Sequence, residues 1–279
     1  DWVVKRFNVP VFENELKWYS TEPQQGKVDY SVPDQMLAWC KANKIAVRGH
    51  NIFWDDENHV PAWVKQLDKE ELQKAVNKRL GSVVGRYAGR FINWDVNNEM
   101  MHHSFFEDRL GPNASNDFYL EAQKLDPQTP MFVNDYNIIE TNQNPKSTVD
   151  LYIRLLVKIK SSGRVLEGIG LEGHFSKPNI PYMRAVLDKL GTLGMPIFLT
   201  EVDVSSNFDQ QTQNLPAGDT VDKILKEWTT NVQGITDANG SFKFNGFFGD
   251  YDFSATFNGE NVTKTISVTE EVEDIHIQI

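Results

Sequence analysis

Short apolar runs, each followed by polar residues and then by a stretch of helical periodicity, recur six times along this 279-residue chain. The runs are rich in β-branched residues, which is typical of strands buried on both faces of a parallel sheet. They span residues 9–12, 45–47, 91–96, 131–133, 168–171 and 197–199. The helical stretches span residues 34–42, 69–87, 116–125, 148–160 and 181–190. Strands that alternate with helices predict a parallel α/β fold.

The polar residues after every run favour a TIM (β/α)8 barrel, because that fold places its chemistry at the carboxyl ends of its strands. A doubly wound sheet is the alternative, although it usually has one dominant ligand crevice. A closed barrel needs eight strands and six are visible here. We expect the first and last strands, before Trp2 and between Val204 and Leu215, to belong to segments that the natural chain has in addition.

The pattern changes after about Asn207, where a polar, turn-rich segment is followed by one short helical stretch at 220–228. From Ser241 onward, alternating runs are separated by Asn-Gly at 245–246 and 258–259, which is a strong hairpin pattern. We therefore predict two domains: a barrel over 1–228 and a small antiparallel β-rich domain over 229–279.

Charge and composition narrow the ligand class. The formal net charge is −11, which argues against nucleic acid and anionic membrane surfaces as partners. No apolar run reaches membrane-spanning length. The single cysteine, Cys40, excludes an internal disulfide and weakly favours the cytosol. Asn113, Asn239 and Asn261 begin glycosylation triplets, which favour secretion instead.

Two glutamates follow predicted strands at equivalent positions. Glu99 comes after the 91–96 run and Glu201 after the 197–199 run. A glutamate at a strand end is ordinarily a solvated surface group. A barrel rim, however, can bring two such ends together, and glycoside hydrolysis needs two carboxyls across the scissile bond. The pair is therefore a candidate acid/base and nucleophile.

Other polar residues at the predicted tips fit the same site. His174 and Asp203 are predicted to pair beside Glu201, with the carboxylate fixing the imidazole tautomer and the imidazole donating to the nucleophile. Asn98 offers an amide to a sugar hydroxyl. The cleft wall is predicted to contain Glu13, Asn14, Lys17, His50 and Trp54.

A metal site is a competing interpretation, because Glu99 and His102 match a Glu-x-x-His pattern. Di-iron bundles need two copies of that pattern on long helices, and this chain has one, at a strand end. His102 and His103 are therefore expected to be loop residues.

Six ordered motifs resemble glycoside hydrolase family 10, the endo-β-1,4-xylanases. They are FENELKW (12–18), RGHNIFW (48–54), WDVNNE (94–99), NDYN (134–137), GIGLEGH (168–174) and LTEVDV (199–204). The resemblance covers about 200 residues. Segments 109–114, 172–174 and 214–219, together with the β-rich tail, are similar to the plant branch, whose members act on cell-wall xylan.

This resemblance implies a retaining enzyme in which Glu99 is the acid/base and Glu201 the nucleophile. It assigns His174 and Asp203 to support of the nucleophile, and it implies no metal or organic cofactor. The sugar-contacting positions that it implies are Glu13, Asn14, Lys17, His50, Trp54 and Asn98 on the glycone side, with Asn134 and Tyr136 at the tip of the fifth barrel strand. We expect a secreted, cell-wall monomer that takes xylan or xylo-oligosaccharides.

Two departures from the family pattern stand out. Position 172, a substrate-contacting position, is Glu where many members have Gln beside the nucleophile. A second carboxyl there should raise the pKa of one partner, so we expect Glu172 to be protonated at working pH. The tryptophans of the family's last strand also have no match, and Trp228 lies in a different setting. The alternative function is therefore a weak or inactive xylan-binding or inhibitory protein on the same fold.

Overall fold

The computed structural model describes residues 3–5, 7–140, 144–161, 163, 166–175, 178–204, 219, 223, 230–244 and 249–268. The chain divides into two compact units, Asp1–Ser205 and Ser206–Ile279. The domain boundary predicted after residue 228 stays a prediction, because nearly all of residues 205–229 lie outside the described part.

The first unit alternates strands and helices. Its elements in chain order are α1 (Trp18–Thr21), α2 (Ser31–Ala42), β1 (Gly49–Trp54), α3 (Ala62–Lys65), α4 (Lys69–Tyr87), β2 (Trp94–Asn98), α5 (Phe105–Leu110), α6 (Ala114–Leu125), β3 (Met131–Asp135), α7 (Val149–Ser161), β4 (Gly168–Phe175), α8 (Ile180–Gly191) and β5 (Ile197–Val204). Within the described residues, no helix has both the length and the apolarity needed to cross a membrane.

The five strands form one parallel sheet in the order β1-β2-β3-β4-β5. A doubly wound sheet reverses its strand order at a switch point, whereas a barrel wall keeps chain order. The described strands keep chain order, which favours the barrel. The positions expected for the two further strands fall outside the described residues.

The longest helix, α4, follows directly from its sequence. The Asp68 side chain accepts a hydrogen bond from the backbone N–H of Glu71, and the Glu71 side chain accepts one from the backbone N–H of Asp68, which completes a capping box. Leu72, Val76 and Leu80 recur at helical spacing and are buried. The predicted span of 69–87 is confirmed.

The strand predicted at residues 45–47 is wrong in position. The strand β1 instead comprises Gly49–Trp54, which the polar pattern had placed at a loop tip. His50 of this strand and Arg48, just before it, are buried because both contact Asp95. The predicted strand at 9–12 is reduced to one parallel bridge, Val11 to Arg48, since the neighbouring Pro10 has no N–H to donate.

Strands β4 and β5 extend further than predicted. The sequence placed their ends at residues 171 and 199, but they continue to Phe175 and Val204. The residues predicted as polar tips, including Glu172, His174 and Glu201, therefore belong to the strands themselves. Strand geometry, rather than a loop, fixes the direction of these side chains.

In the second unit, an antiparallel hairpin joins β6 (Gly249–Phe257) and β7 (Glu260–Val268). Asn258 and Gly259 form its turn, with φ values of 49° and 86°. Positive φ at both central residues is what such a two-residue turn requires, and it explains the Asn-Gly pair. This part of the predicted small sheet is confirmed. The other Asn-Gly pair, and most of the helix predicted at 220–228, lie outside the described residues.

Candidate active site

Glu99 lies in the turn that follows β2. Its φ is 60°, a left-handed backbone conformation that is uncommon for a residue other than glycine and that recurs at functional sites. The backbone N–H of Glu99 donates to the carbonyl of Asn134 at 3.0 Å. Its carboxylate accepts from Trp54 Nε1 at 2.8 Å and from Asn98 Nδ2 at 3.2 Å. Neighbouring strands therefore fix this carboxyl on both oxygens.

The surroundings of Glu99 favour its neutral form. Burial raises the pKa of Glu99, and the nearby charge of Glu201 raises it further. The hydrogen bond from Trp54 acts in the opposite direction, because it stabilises the ionised carboxylate. A carboxyl with a raised pKa can donate a proton near neutral pH, as a general acid must.

Glu201 extends from β5 toward the same space. Asn134 Nδ2 donates to its Oε1 at 3.0 Å, and His50 Nε2 lies 3.7 Å from the same oxygen. Asn134 Nδ2 also donates to Asn98 Oδ1 at 2.9 Å. Asn98 in turn contacts Glu99, so two asparagines link the two predicted carboxyls across three strands. The structure thus brings together the glutamates that the sequence paired.

Glu172 is the most buried carboxyl of the group. Its Oε1 accepts from Asn134 Nδ2 at 2.8 Å. Burial, followed by the charges of Glu201 and Glu99, raises the pKa of Glu172 to about 8, whereas His174 acts to lower it. This direction agrees with the expectation that Glu172 is protonated.

His174 and Asp203 form the predicted pair, with His174 Nδ1 3.0 Å from Asp203 Oδ2. The predicted donation from His174 to Glu201 is not what the structure shows, because His174 Nε2 lies 3.2 Å from Glu172 Oε2. Glu172 and His174 are two residues apart on one face of β4, so the imidazole reaches that neighbour. The bond to Glu172, then that to Asp203, raises the pKa of His174 to about 9.

Three of these side chains, Glu172, His174 and Glu201, have ligand-type atoms within 4.8 Å of one another. A cation would compete there with the proton that the raised pKa of His174 keeps on the imidazole. The Glu-x-x-His alternative has a different arrangement, since His102 Nε2 lies 3.0 Å from the carbonyl of Tyr136 rather than beside Glu99.

A buried charge pair beneath the site was not predicted from the sequence. Asp95 accepts from Arg48 at 2.6 Å and contacts His50 Nδ1 at 2.9 Å. Burial alone would raise the pKa of Asp95, but Arg48 and His50 outweigh it and lower that pKa. The pair orients His50 toward Glu201. Asp95, the one charged residue of the 91–96 run, was the available signal in the sequence.

The predicted glycone-side residues form one wall. Lys17 Nζ lies 4.2 Å from the centre of the Trp54 ring and donates to Asn14 Oδ1 at 3.4 Å. Tyr19 also donates to Asn14, at 2.7 Å. Burial lowers the pKa of Lys17, although Glu201, Glu99 and the exposed Glu13 oppose the shift. The Trp54 ring also stacks on His59, with centroids 3.7 Å apart, so the wall combines an aromatic cluster with polar groups, as carbohydrate sites do.

Two histidines that the sequence placed in a loop also line the site. The ring of His102 stacks on that of Tyr136 with centroids 3.8 Å apart. His103 Nε2 lies 3.6 Å from Glu99 Oε2 and was not predicted as a site residue. Its spacing of four residues from Glu99 was the only sequence signal, and it gains meaning only once the turn after β2 is known.

The chain is similar to known xylanases in sequence and in fold. The Endo-1,4-beta-xylanase 1 of Arabidopsis thaliana is 36% identical over 97% of this chain. A GH10 xylanase of Thermobacillus composti is 29% identical with a TM-score of 0.64, over 77% of this chain and 66% of that chain. Xylanase 10B of Thermotoga petrophila RKU-1, solved with xylobiose, is 26% identical with a TM-score of 0.65, over 72% of this chain and 63% of that chain.

The chain spans from about a third to about half of the length of the curated relatives, at 33%, 41% and 48% for three Arabidopsis thaliana xylanases. The similarity to solved xylanases confirms the TIM (β/α)8 barrel, to which the five described parallel strands belong. Residues 1–240 match the family described as Glycosyl hydrolase family 10. The chain therefore belongs to glycosyl hydrolase family 10.

Proposed function

We propose that this chain is a retaining endo-β-1,4-xylanase, with Glu99 as acid/base and Glu201 as nucleophile. The observation that carries the proposal is the asparagine bridge. Asn98 contacts Glu99, and Asn134 contacts both Asn98 and Glu201, so that the two carboxyls face one cleft. Membership of glycosyl hydrolase family 10 supports the substrate class.

The two carboxyls differ in the way that double displacement requires. Glu99, with its raised pKa, protonates the glycosidic oxygen while Glu201 attacks the anomeric carbon. The resulting glycosyl-enzyme is hydrolysed by water, and Glu99 now accepts the proton of that water. The hydrogen bond from Trp54 stabilises the carboxylate that Glu99 becomes after the first step.

The residues around the carboxyls bind and orient the sugar. Trp54 and Lys17 contribute an aromatic ring and a cation on the glycone side, where Asn14, Glu13 and His50 add polar groups. On the other side of Glu99, the stacked rings of His102 and Tyr136 provide a second platform. We place xylose units of β-1,4-linked chains on both platforms.

The test is hydrolysis of xylo-oligosaccharides, followed by proton NMR of the fresh product. We expect retained anomeric configuration and loss of at least about a thousandfold in kcat for Glu99→Gln and for Glu201→Gln. Glu121→Gln, on the exposed face of α6, is the matched control and should keep full activity. Inverted product would refute the mechanism. A wild-type chain that binds xylan without cleaving it would instead establish the non-catalytic alternative.

We further propose a secreted glycoprotein of the plant cell wall that acts as a monomer on xylan. The support is that Asn113, Asn239 and Asn261, which begin the three glycosylation triplets, are all exposed. Expression through a eukaryotic secretory pathway should give a mass that falls after glycosidase treatment. Light scattering of the secreted material should give the mass of one chain, and a dimer would count against the proposed monomer.

A further inference from the structure

One amide group at the centre of the site has more acceptors than hydrogens. Asn134 Nδ2 lies 2.9 Å from Asn98 Oδ1, 2.8 Å from Glu172 Oε1 and 3.0 Å from Glu201 Oε1. An amide nitrogen carries two hydrogens. At least one of the three contacts therefore has no hydrogen from Asn134, although all three are at hydrogen-bond distance.

Reorienting the amides does not remove this excess. The other atom of the Asn134 amide, Oδ1, already accepts from the hydroxyl of Thr200. Asn98 is fixed in the same way, since its Nδ2 donates to Glu99 Oε1 at 3.2 Å. Two of the three acceptors are carboxyl oxygens, so a proton on one of them resolves the conflict.

We propose that Glu172 carries this proton, so that the two hydrogens of Asn134 Nδ2 remain for Asn98 Oδ1 and Glu201 Oε1, which makes Glu172 a positioning residue for the nucleophile. The inference rests on the proposed function, because Glu201 is the nucleophile only there. A neutral Glu172 leaves Glu201 its hydrogen bond from Asn134 and keeps a single negative charge on the pair in the free enzyme, whereas an ionised Glu172 would compete for that amide hydrogen.

The surroundings assign the proton to Glu172 rather than to Glu201. The residue Glu172 is only 1% exposed, whereas the Glu201 side chain is 27% exposed and lies near His50. Glu172 Oε2 already accepts from His174 Nε2, which leaves Oε1 for the proton. Burial also raises the pKa of Glu172 to about 8.

The groups that face Glu172 come from every neighbouring element. Three are carboxyls, two are phenols and two are cationic groups when protonated: Glu99 after β2, Asp135 on β3, Glu201 on β5, Tyr136 after β3, Tyr152 on α7, Lys17 before α1 and His174 on β4. The carboxyls oppose a second negative charge, and the cations only partly offset them. Activity should therefore fall as the pH rises past the pKa of Glu172, because Glu201 then loses its donor.

The decisive variant is Glu172→Gln, which replaces the titrating O–H donor with an amide N–H that does not titrate. We expect the alkaline limb of the kcat/KM profile to move upward by about one pH unit or more on a dinitrophenyl β-xylobioside, whose leaving group needs no proton from Glu99. Glu140→Gln is the matched control, because Glu140 contacts the backbone of His174 but not Asn134. An active Glu172→Gln enzyme with the limb of the wild type would overturn the inference.

A second measurement does not depend on activity or on that variant folding. Carbon-13 labelling of glutamate side-chain carboxyls, read by NMR in the substrate-free wild-type protein, should reveal a glutamate that titrates near pH 8. If every glutamate carboxyl is ionised by about pH 6, the proton proposed on Glu172 does not exist. Failure of the proposed function would leave this titration in place, so the two failures are distinguishable.

Discussion

A fully buried arginine links the two chain segments that carry the glycone-side wall. Arg79, on α4, is 2% exposed and donates four hydrogen bonds. Its acceptors are Leu16 O at 2.7 Å, Thr21 Oγ1 at 2.8 Å, Ile52 O at 3.1 Å and Asn51 O at 3.3 Å. Leu16 precedes Lys17, and residues 51–52 lie between His50 and Trp54. We predict that Arg79→Met loosens this junction.

The expected cost follows from the contacts. A hydrogen bond to a charged group contributes about 1.5–3 kcal/mol, and each acceptor left buried costs about 1–3 kcal/mol. Burial lowers the pKa of Arg79, which shows that desolvation of the guanidinium offsets part of this gain. We expect Arg79→Met to lower the free energy of unfolding by about 3–5 kcal/mol, as removal of one partner from a buried charged network does.

The assay is urea unfolding followed by tryptophan fluorescence, with Arg86→Met as the matched control. Arg86 lies on the same helix, but its side chain is 45% exposed and its ion pair with Asp34 is at the surface. That substitution should cost about 0–1 kcal/mol. Folded Arg79→Met should also show a higher KM on xylotriose. Equal costs for the two variants would refute the reasoning.

Three further substitutions test the site and its support. Trp54→Phe removes the N–H donor that lowers the pKa of Glu99, so the alkaline limb of the kcat profile should move to higher pH; a limb at lower pH would contradict this. Burial and Glu107 raise the pKa of Asp55 to about 8 in the folded chain, so stability should fall between about pH 4 and 8 by about 1.4 kcal/mol per unit. Asp55→Asn should remove that fall, as measured by urea unfolding at pH 5 and pH 8. If wild type and variant lose the same stability between the two pH values, Asp55 is not its cause. Tyr152→Phe removes the single hydroxyl hydrogen that lies between two strand carbonyls, on β3 and β4, and should cost about 1–3 kcal/mol in the same assay.

The helices were predictable because their signals are local. The capping box at Asp68 and the spacing of Leu72, Val76 and Leu80 lie within single helical turns, so the sequence alone places α4. The hairpin turn at Asn258 and Gly259 is equally local. Strand ends were less predictable. From the sequence, Arg48 and His50 resemble exposed residues at a strand tip, and only the structure shows that both contact the buried Asp95.

The site likewise has residues that the sequence predicts and contacts that only the structure shows. Glu99 and Glu201 were identifiable because each follows a recognisable apolar run, and their motifs resemble one family. The hydrogen bonds around them were not predictable, because Asn134 reaches Asn98 and Glu172 only when β2, β3 and β4 lie side by side. His103 was missed because its contact with Glu99 depends on the turn after β2.

The sequence by itself determined the alternation of strands and helices, their approximate positions and the identity of the two candidate carboxyls, because each depends on neighbours within a few residues. Only the tertiary structure decided which atoms those carboxyls contact. In the structure His174 contacts Glu172 rather than Glu201, and the amide of Asn134 contacts residues of three other strands. Hydrogen bonds form over less than 3.5 Å, so strand register, set by the packing of the whole sheet, selects the partner.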